Sequence, residues 1–433
     1  MKYIISVDQS TTATKAVLFN EKAELLYRTD RPHRQITPQH GWVEHDGLEI
    51  YDHFLSAVTM LVEKAGISWA DIAVLAISNQ RETAIVWDRE TGEPVYNAIV
   101  WQCARAQAIC QEKVINQMGE SIYGKTGLKL SPYFSAPKIR WVLDHVPGAR
   151  EKACGGRLLA GTMDSFLVWK LTGGRRHITD YSNASRTMLL NIPDLQWDQE
   201  ILDLFDIPRQ MLPEIVPSDT VVGYTDLVGA SDVDIPIAGI MGDSHGAMFA
   251  QSCYRPGMVK CTYGTGSSIM MHIGDTPVQS SHGLVTSVAW GTRKGVEYVL
   301  EGNINYAAAT VKWLVDDIEI LDNAAQSEEL ACDLDDNGGV YLVPAFTGLG
   351  APYWDGKARA MICGISAGVK KGHLARAALE SIAYQVNDAI ELLQRVSGIE
   401  LEQLRADGGA SENERLMQFQ SDLLRTKVTV TGV

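Results

Sequence analysis

The chain has 433 residues, with 53 acidic against 38 basic side chains and a formal net charge of −15. That balance leaves no basic stripe to neutralise a phosphodiester backbone or an anionic bilayer, which argues against nucleic acid and membranes and for a small-molecule partner. The length exceeds what one hydrophobic core usually organises, so two domains are expected, spanning 1–253 and 254–433.

In chain order, residues 2–7 read as a buried strand, the polar run 8–14 as a tight turn and residues 16–19 as a returning strand, giving an N-terminal hairpin. The opening apolar run is cut short by Asp8 before it reaches signal-peptide length. No later run is long enough to span a bilayer, so the chain reads as soluble and cytoplasmic. Ile50, Phe54, Leu55, Val58, Leu61, Val62 and Ala65 recur at helical spacing, and residues 72–77 then form a continuous apolar strand. Cys103 and Cys110 fall seven apart in a helix-like stretch, a packing pattern. Seven cysteines without close pairs read as reduced thiols, and neither they nor the ten histidines show metal-ligand spacing. The proline-rich region 193–231 reads as a loop-rich surface insertion.

Residues 235–241 form an apolar strand that runs into Gly242-Asp-Ser-His-Gly246 and a short helix, which should end at Arg255-Pro-Gly257; the domain boundary is therefore set near Tyr254. A second hydroxyl-rich hairpin follows at 259–271, its turn carrying Gly264-Thr-Gly266. Two domains that each open on such a hairpin suggest a duplication. Ala378, Leu379, Ile382, Val386, Ile390 and Leu393 keep helical spacing. Residues 404–406 then read as a strand entering the turn Asp407-Gly-Gly-Ala410, with a helix beyond it.

Several places carry chemistry. Asp243, flanked by glycines between a strand and a helix, can take a proton from a bound hydroxyl or can serve as a helix cap, and alone the two readings balance. Arg81 and Glu82 follow the 72–77 strand and should share the crevice at its end, a donor fork beside an acceptor suited to vicinal hydroxyls; a surface ion pair is the competing reading. Trp101 and Tyr133 are core residues by default, but aromatic walls are also what polyol pockets need. The hairpin from Asp8 to Lys15 is not a Walker A loop. Its hydroxyls, amides and Lys15 could hold phosphate and Asp8 a hydrated Mg²⁺, although from this motif alone an ordinary polar hairpin is the better reading, because Ser/Thr-rich turns are common. The glycines at 264 and 266 admit an anion to the backbone, and Asp407-Gly-Gly-Ala410 admits a flat ring. Ser411 and Glu414 also fit a capping box, which is compatible with a nucleotide turn. No G-x-G-x-x-G follows the first strand, which argues against a nicotinamide dehydrogenase.

Taken together the chain resembles the FGGY family of carbohydrate kinases. The likeness runs through Gly41-Trp-Val-Glu-His-Asp46, Asn97-Ala-Ile-Val-Trp-Gln-Cys103, the 133–145 and 360–380 segments that fit the family's two signatures, Asp180-Tyr-Ser-Asn-Ala-Ser-Arg-Thr-Met188 and the 344–355 segment. It implies an α/β fold of two duplicated actin-like (ribonuclease H-like) ATPase domains with an interdomain cleft, the second expected to be shortened at its C terminus because relatives continue beyond Val433. It further implies ATP-dependent phosphorylation of a primary hydroxyl of a polyol or sugar, glycerol to glycerol 3-phosphate being the first expectation. By position, Arg81, Glu82, Trp101, Tyr133, Asp243, Ser244 and Ser268 would meet the alcohol, with Asp243 as base. Thr11, Thr12, Lys15, Thr265, Ala308, Gly409 and Asn413 would hold ATP. Mg²⁺ would sit near Asp8, through water, with Asp243 a second ligand candidate. The family often forms dimers or tetramers.

Three positions depart from the family pattern. Members acting on glycerol typically carry Gln where this chain has Ser244, Phe where it has Ser268, and often Arg where it has Lys15. The first two replacements imply a roomier, more polar pocket, with a tetritol, pentitol or ketopentose as alternative substrate. A non-catalytic nucleotide- or sugar-binding homologue is the rival of another class.

Overall fold

The computed structural model describes residues 2–279, 283–350, 352–353 and 355–431. Ala351 and Trp354 of the 344–355 segment, and Val433, lie outside the described residues. The chain divides into two compact units, Met1–Gly246 with Ser287–Glu297, and Ala247–Thr286 with Tyr298–Val433. The division falls inside the helix Asp243–Ala250, and one internal segment is counted with the first unit.

The first unit is built on a six-stranded sheet in the order Val221–Thr225, Ile235–Gly242, Ile72–Asn79, Tyr3–Gln9, Ala13–Phe19, Leu25–Pro32. The strands 235–242, 72–79 and 3–9 run parallel; 221–225 and 13–19 run antiparallel to them, and 25–32 runs antiparallel to 13–19. The first strand extends through Asp8 and Gln9, because Asp8 pairs with Lys15 and Gln9 with Thr14 across the hairpin; the turn is therefore shorter than the polar run 8–14 implies.

Behind this sheet lies the helix Gly47–Ala65. Asp46 caps it by accepting from Leu48 N–H at 2.9 Å, and Gly66, at φ +64°, ends it where a left-handed residue is required. Its buried face, Ile50, Phe54, Val58 and Leu61, packs with Ile5, Val7, Leu18, Leu75 and Ile77 in one core. Each such side chain stabilises the unit by about 1.5–3 kcal/mol on burial.

The region 193–231 departs from the expected surface insertion. It holds the helix Gln199–Leu204, the strand Glu214–Val216 and the edge strand Val221–Thr225 of the main sheet, and Ile201, Leu202, Phe205, Ile207 and Met211 are buried. Its prolines separate short elements instead of marking a continuous loop. Cys103 also lies outside any helix; the helix of that stretch is Gln107–Gln111, and both Cys103 and Cys110 are buried.

The second unit repeats the design. The second six-stranded sheet runs Val285–Thr292, Gly295–Ile304, Ser267–Gly274, Met258–Tyr263, Gln403–Asp407, Val428–Val430. The strand that opens the unit, 258–263, pairs antiparallel with its hairpin partner on one side and parallel with 403–407 on the other, just as 3–9 pairs with 13–19 and 72–79. The long helix Lys371–Ser397 buries Ala378, Leu379, Ile382, Val386, Ile390 and Leu393. The expected α/β duplication is therefore present in the topology itself.

Candidate active site

In the first unit, three parallel strands end side by side. Gln9 and Gly242 both align with Asn79. The carboxyl ends of parallel strands are where α/β sheets place ligands, since the backbone leaves the sheet there and frees side chains. Asp243 is the first residue of the helix Asp243–Ala250, its Oδ1 accepting the Ser244 N–H at 2.6 Å. Arg81 Nε approaches the same oxygen at 3.3 Å; Arg81 is 6% exposed but the Asp243 side chain is 41% exposed. The carboxylate is thus steadied by a buried guanidinium while remaining open to a ligand. Gly242 is required for this approach, because a Cβ there would lie 2.8 Å from Arg81 Cγ.

Glu82, 2% exposed, accepts from Arg186 Nε at 2.5 Å, and Arg81 Nε lies 3.9 Å from the same oxygen. These are buried charges, so the alternative of a surface ion pair at Arg81 and Glu82 fails. Glu82 has φ +60°, and Thr83 N–H donates across it to Arg81 O at 2.7 Å, a strained three-residue turn for a residue with a Cβ. Trp101 and Tyr133 meet edge to face at 5.6 Å between centroids, and Trp101 Nε1–H donates to Thr11 Oγ1 at 3.0 Å. The aromatic pair is thereby tied to the N-terminal hairpin.

On that hairpin Lys15 Nζ lies 3.3 Å from Asp8, each side chain about one-third exposed, and Thr12 is exposed at the tip. Burial raises the Asp8 pKa above its ordinary value; Lys15 opposes the rise and the charge of Asp243 adds to it, so the two carboxylates sense one another. Ser244 is half-buried beside Asp243. Among the described residues no group of three or more His, Cys, Asp or Glu side chains is arranged to hold a metal. Two carboxylates are nevertheless a usual protein share for Mg²⁺, whose remaining ligands are then phosphate oxygens and water.

In the second unit, Thr265, Ala308, Gly409 and Asn413 come together around a cavity of about 850 Å³, with Gly264, Ala309, Lys312 and Ala410 also on its wall. The hairpin turn docks on the start of the helix Ala308–Asp316, Thr265 O accepting from Ala309 N–H at 3.1 Å. A Cβ on Gly266 would lie 2.4 Å from Ile304 O, and one on Gly408, at φ +87°, 2.8 Å from Tyr263 O, so both glycines let backbones cross closely beside the cavity. The capping box expected from Ser411 and Glu414 is absent. Asn413 caps the helix Glu414–Leu424 by accepting from Leu416 N–H at 2.8 Å, while Ser411 Oγ donates to Gly408 O at 2.7 Å. Gly409–Glu412 forms a separate 3₁₀ turn, which moves the cap two residues beyond the predicted one. Ser268 lies on the strand Ser267–Gly274 of this unit, half-buried, with Oγ 3.5 Å from Glu301 Oε1.

The N-terminal domain model of the FGGY family of carbohydrate kinases matches residues 3–250, and the C-terminal domain model matches residues 259–433. The chain belongs to the FGGY family of carbohydrate kinases. The enzyme is 52% identical over 430 residues to glycerol kinase 2 of Thermotoga maritima, covering 99% of this chain and 86% of that relative. It is also 52% identical over 427 residues to the glycerol kinase of a Thermoanaerobacter species, with the same coverage. Among solved structures, that of Plasmodium falciparum glycerol kinase with ADP superimposes with a TM-score of 0.95 at 35% identity, covering 100% of this chain and 87% of that one. A ligand-bound xylulose kinase from Lactobacillus acidophilus shares the fold, with a TM-score of 0.88 at 23% identity over 99% of this chain and 86% of that one.

Arg186, which sequence reasoning left out, is the principal addition to the site. Its only sequence signal is a cation inside the otherwise neutral run that follows Asp180 in the 180–188 segment.

Proposed function

We propose that the chain transfers the terminal phosphoryl group of ATP to a primary hydroxyl of glycerol, yielding glycerol 3-phosphate and ADP. The observation that carries this reading is Asp243, a carboxylate oriented by buried Arg81 yet 41% exposed at the end of parallel strands. The glycerol kinase relatives and the ADP-bound glycerol kinase structure support the choice of acceptor and donor.

In the reaction Asp243 accepts the hydroxyl proton as that oxygen attacks the terminal phosphorus in line with the leaving ADP oxygen. Arg81 and Glu82 hold the remaining hydroxyls, Arg81 donating and Glu82 accepting, and the Trp101–Tyr133 pair covers the carbon chain. Lys15, Thr11, Thr12 and the hairpin amides meet phosphate charge, so positioning and electrostatics do most of the catalysis. Thr265, Ala308, Gly409 and Asn413 hold the nucleotide, whose ring fits against the small residues lining the cavity. Mg²⁺, held by Asp8 through water and by Asp243, would neutralise charge on the phosphates.

Ser244, small and beside the base, favours a second acceptor class of longer polyols. ADP release measured over glycerol, erythritol, pentitols, ketopentoses and gluconate tests both readings: glycerol is expected to give the highest kcat/KM. A preference for a longer polyol would transfer the assignment to that class, and release needing no alcohol would overturn it. Both substrates are cytoplasmic metabolites, so the enzyme is proposed to act there. A dimer or tetramer is the expected assembly, to be read by light scattering of the full chain.

A further inference from the structure

The segment from Asp180 to Arg186 has no role in the reaction as described, yet it reaches both ends of the acceptor site. At its start the fully buried Asp180 caps the helix Tyr181–Ala184, accepting from the Ser182 and Asn183 N–H groups at 3.0 Å each and from Ser218 Oγ at 2.7 Å. That leaves Ser182 Oγ, itself donating to Asp180, to accept the Gly242 N–H at 2.9 Å, one residue before Asp243. The next residue, Asn183, exchanges two amide hydrogen bonds with Asn79, at 2.9 and 3.0 Å, where the central strand ends. Arg186, 1% exposed, then pairs with Glu82 at 2.5 Å, its guanidinium 5.4 Å from the Phe134 ring centroid. Glu82 is the residue held at φ +60°, a backbone conformation that persists only when its surroundings over-determine it.

We propose that Arg186 is a positioning residue for the acceptor alcohol, and that Asp180–Arg186 is a brace setting Glu82 and Asp243 at a fixed separation. The proposal rests on the acceptor-site reading above. Arg186 fixes the Glu82 carboxylate that receives a polyol hydroxyl, so its loss weakens alcohol binding. Ser182 fixes the backbone from which Asp243 projects, so its loss misplaces the base.

Arg186→Gln, Arg186→Lys and Ser182→Ala, made in the full chain, are assayed with glycerol and ATP varied separately and with the folded fraction read by circular dichroism. Arg186→Gln is expected to raise the glycerol KM by roughly tenfold or more while the ATP KM stays within about twofold, and Arg186→Lys, which keeps the charge but not the fork, to recover part of that loss. Ser182→Ala is expected to lower kcat by about threefold to tenfold with little change in either KM. Activity that merely follows the folded fraction with both KM values unchanged overturns the proposal. So does an equal rise in both KM values, or failure of all three variants to fold, which would make the segment a scaffold only. A wild-type chain that releases no ADP in response to glycerol is a separate failure, that of the acceptor-site reading.

Discussion

Asp243 owes its position to residues with smaller side chains than its own. Gly242 lets Arg81 lie across the strand end, and Ser244 gives its N–H to the carboxylate without filling the space beside it. Asp243→Asn keeps the shape and removes the base, so kcat is expected to fall by roughly 10²–10⁴ with the ATP KM and the melting temperature nearly unchanged. Trp101→Phe keeps the aromatic wall but deletes the indole N–H that Thr11 accepts. The expected result is a fall in kcat/KM for glycerol of about fivefold to tenfold, checked by steady-state kinetics, whereas unchanged kinetics would show that the tie to the hairpin is dispensable. The placement of Arg81, Glu82 and Asp243 at strand ends was legible in the sequence because each lies just beyond an apolar run that forms a strand. Arg186 was not, because it meets Glu82 across 104 residues of chain, a pairing no local pattern encodes.

The hairpins, the parallel strands and the long helices were readable from periodicity, since burial of one face writes itself into the spacing of apolar residues. Where the reading failed, the elements were short. Glu214–Val216 and Gln199–Leu204 are too brief for either period to emerge, and the prolines around them suggested a loop. The start of the helix Glu414–Leu424 was misread because Asn413 offers a cap as good as Ser411, and only the backbone decides between them. Asn413→Ala should therefore destabilise the chain by about 1 kcal/mol, measured by denaturant unfolding, and weaken ATP more than glycerol because the side chain also lines the cavity. Gly408→Ala meets both a left-handed backbone and Tyr263 O, and should cost more than the Asn413 change while raising the ATP KM selectively.

Across the molecule, buried ionisable groups give stability a pH dependence of known sign. Burial pushes His45 down to about 4, with the neighbouring His33 adding to the effect, and its ring bridges Gln35 Oε1 at 3.1 Å and Gln80 Nε2 at 3.3 Å as a neutral imidazole can. His33 is also pushed down to about 4, chiefly by burial. Between about pH 6.5 and 4 the unfolded chain takes up protons that the folded imidazoles refuse, so this contribution is lost as the pH falls through that window. Asp164, fully buried and pushed up to about 7, has the opposite sign: its folded form keeps a proton that the unfolded carboxyl releases, and its contribution is lost as the pH rises from about 4 to 7. Replacing His45 by Gln removes one of the first kind, so the melting temperature of His45→Gln should fall less steeply than wild type on acidification from pH 6.5 to 4; parallel curves would contradict the assignment.

The duplicated architecture follows from the same chain-wide pattern of an opening hairpin flanked by a parallel strand; Arg81, Glu82 and Asp243 fall in the first unit and the cavity around Thr265 and Gly409 in the second. The measurement that bears most directly on the whole account is glycerol-dependent ADP formation by the wild-type chain and by Asp243→Asn, with the phosphorylated product identified. The account predicts stoichiometric glycerol 3-phosphate from the wild type and its near-complete loss in the folded, ATP-binding variant. Equal turnover by the two proteins, or ADP formed at the same rate with and without an alcohol, would contradict it.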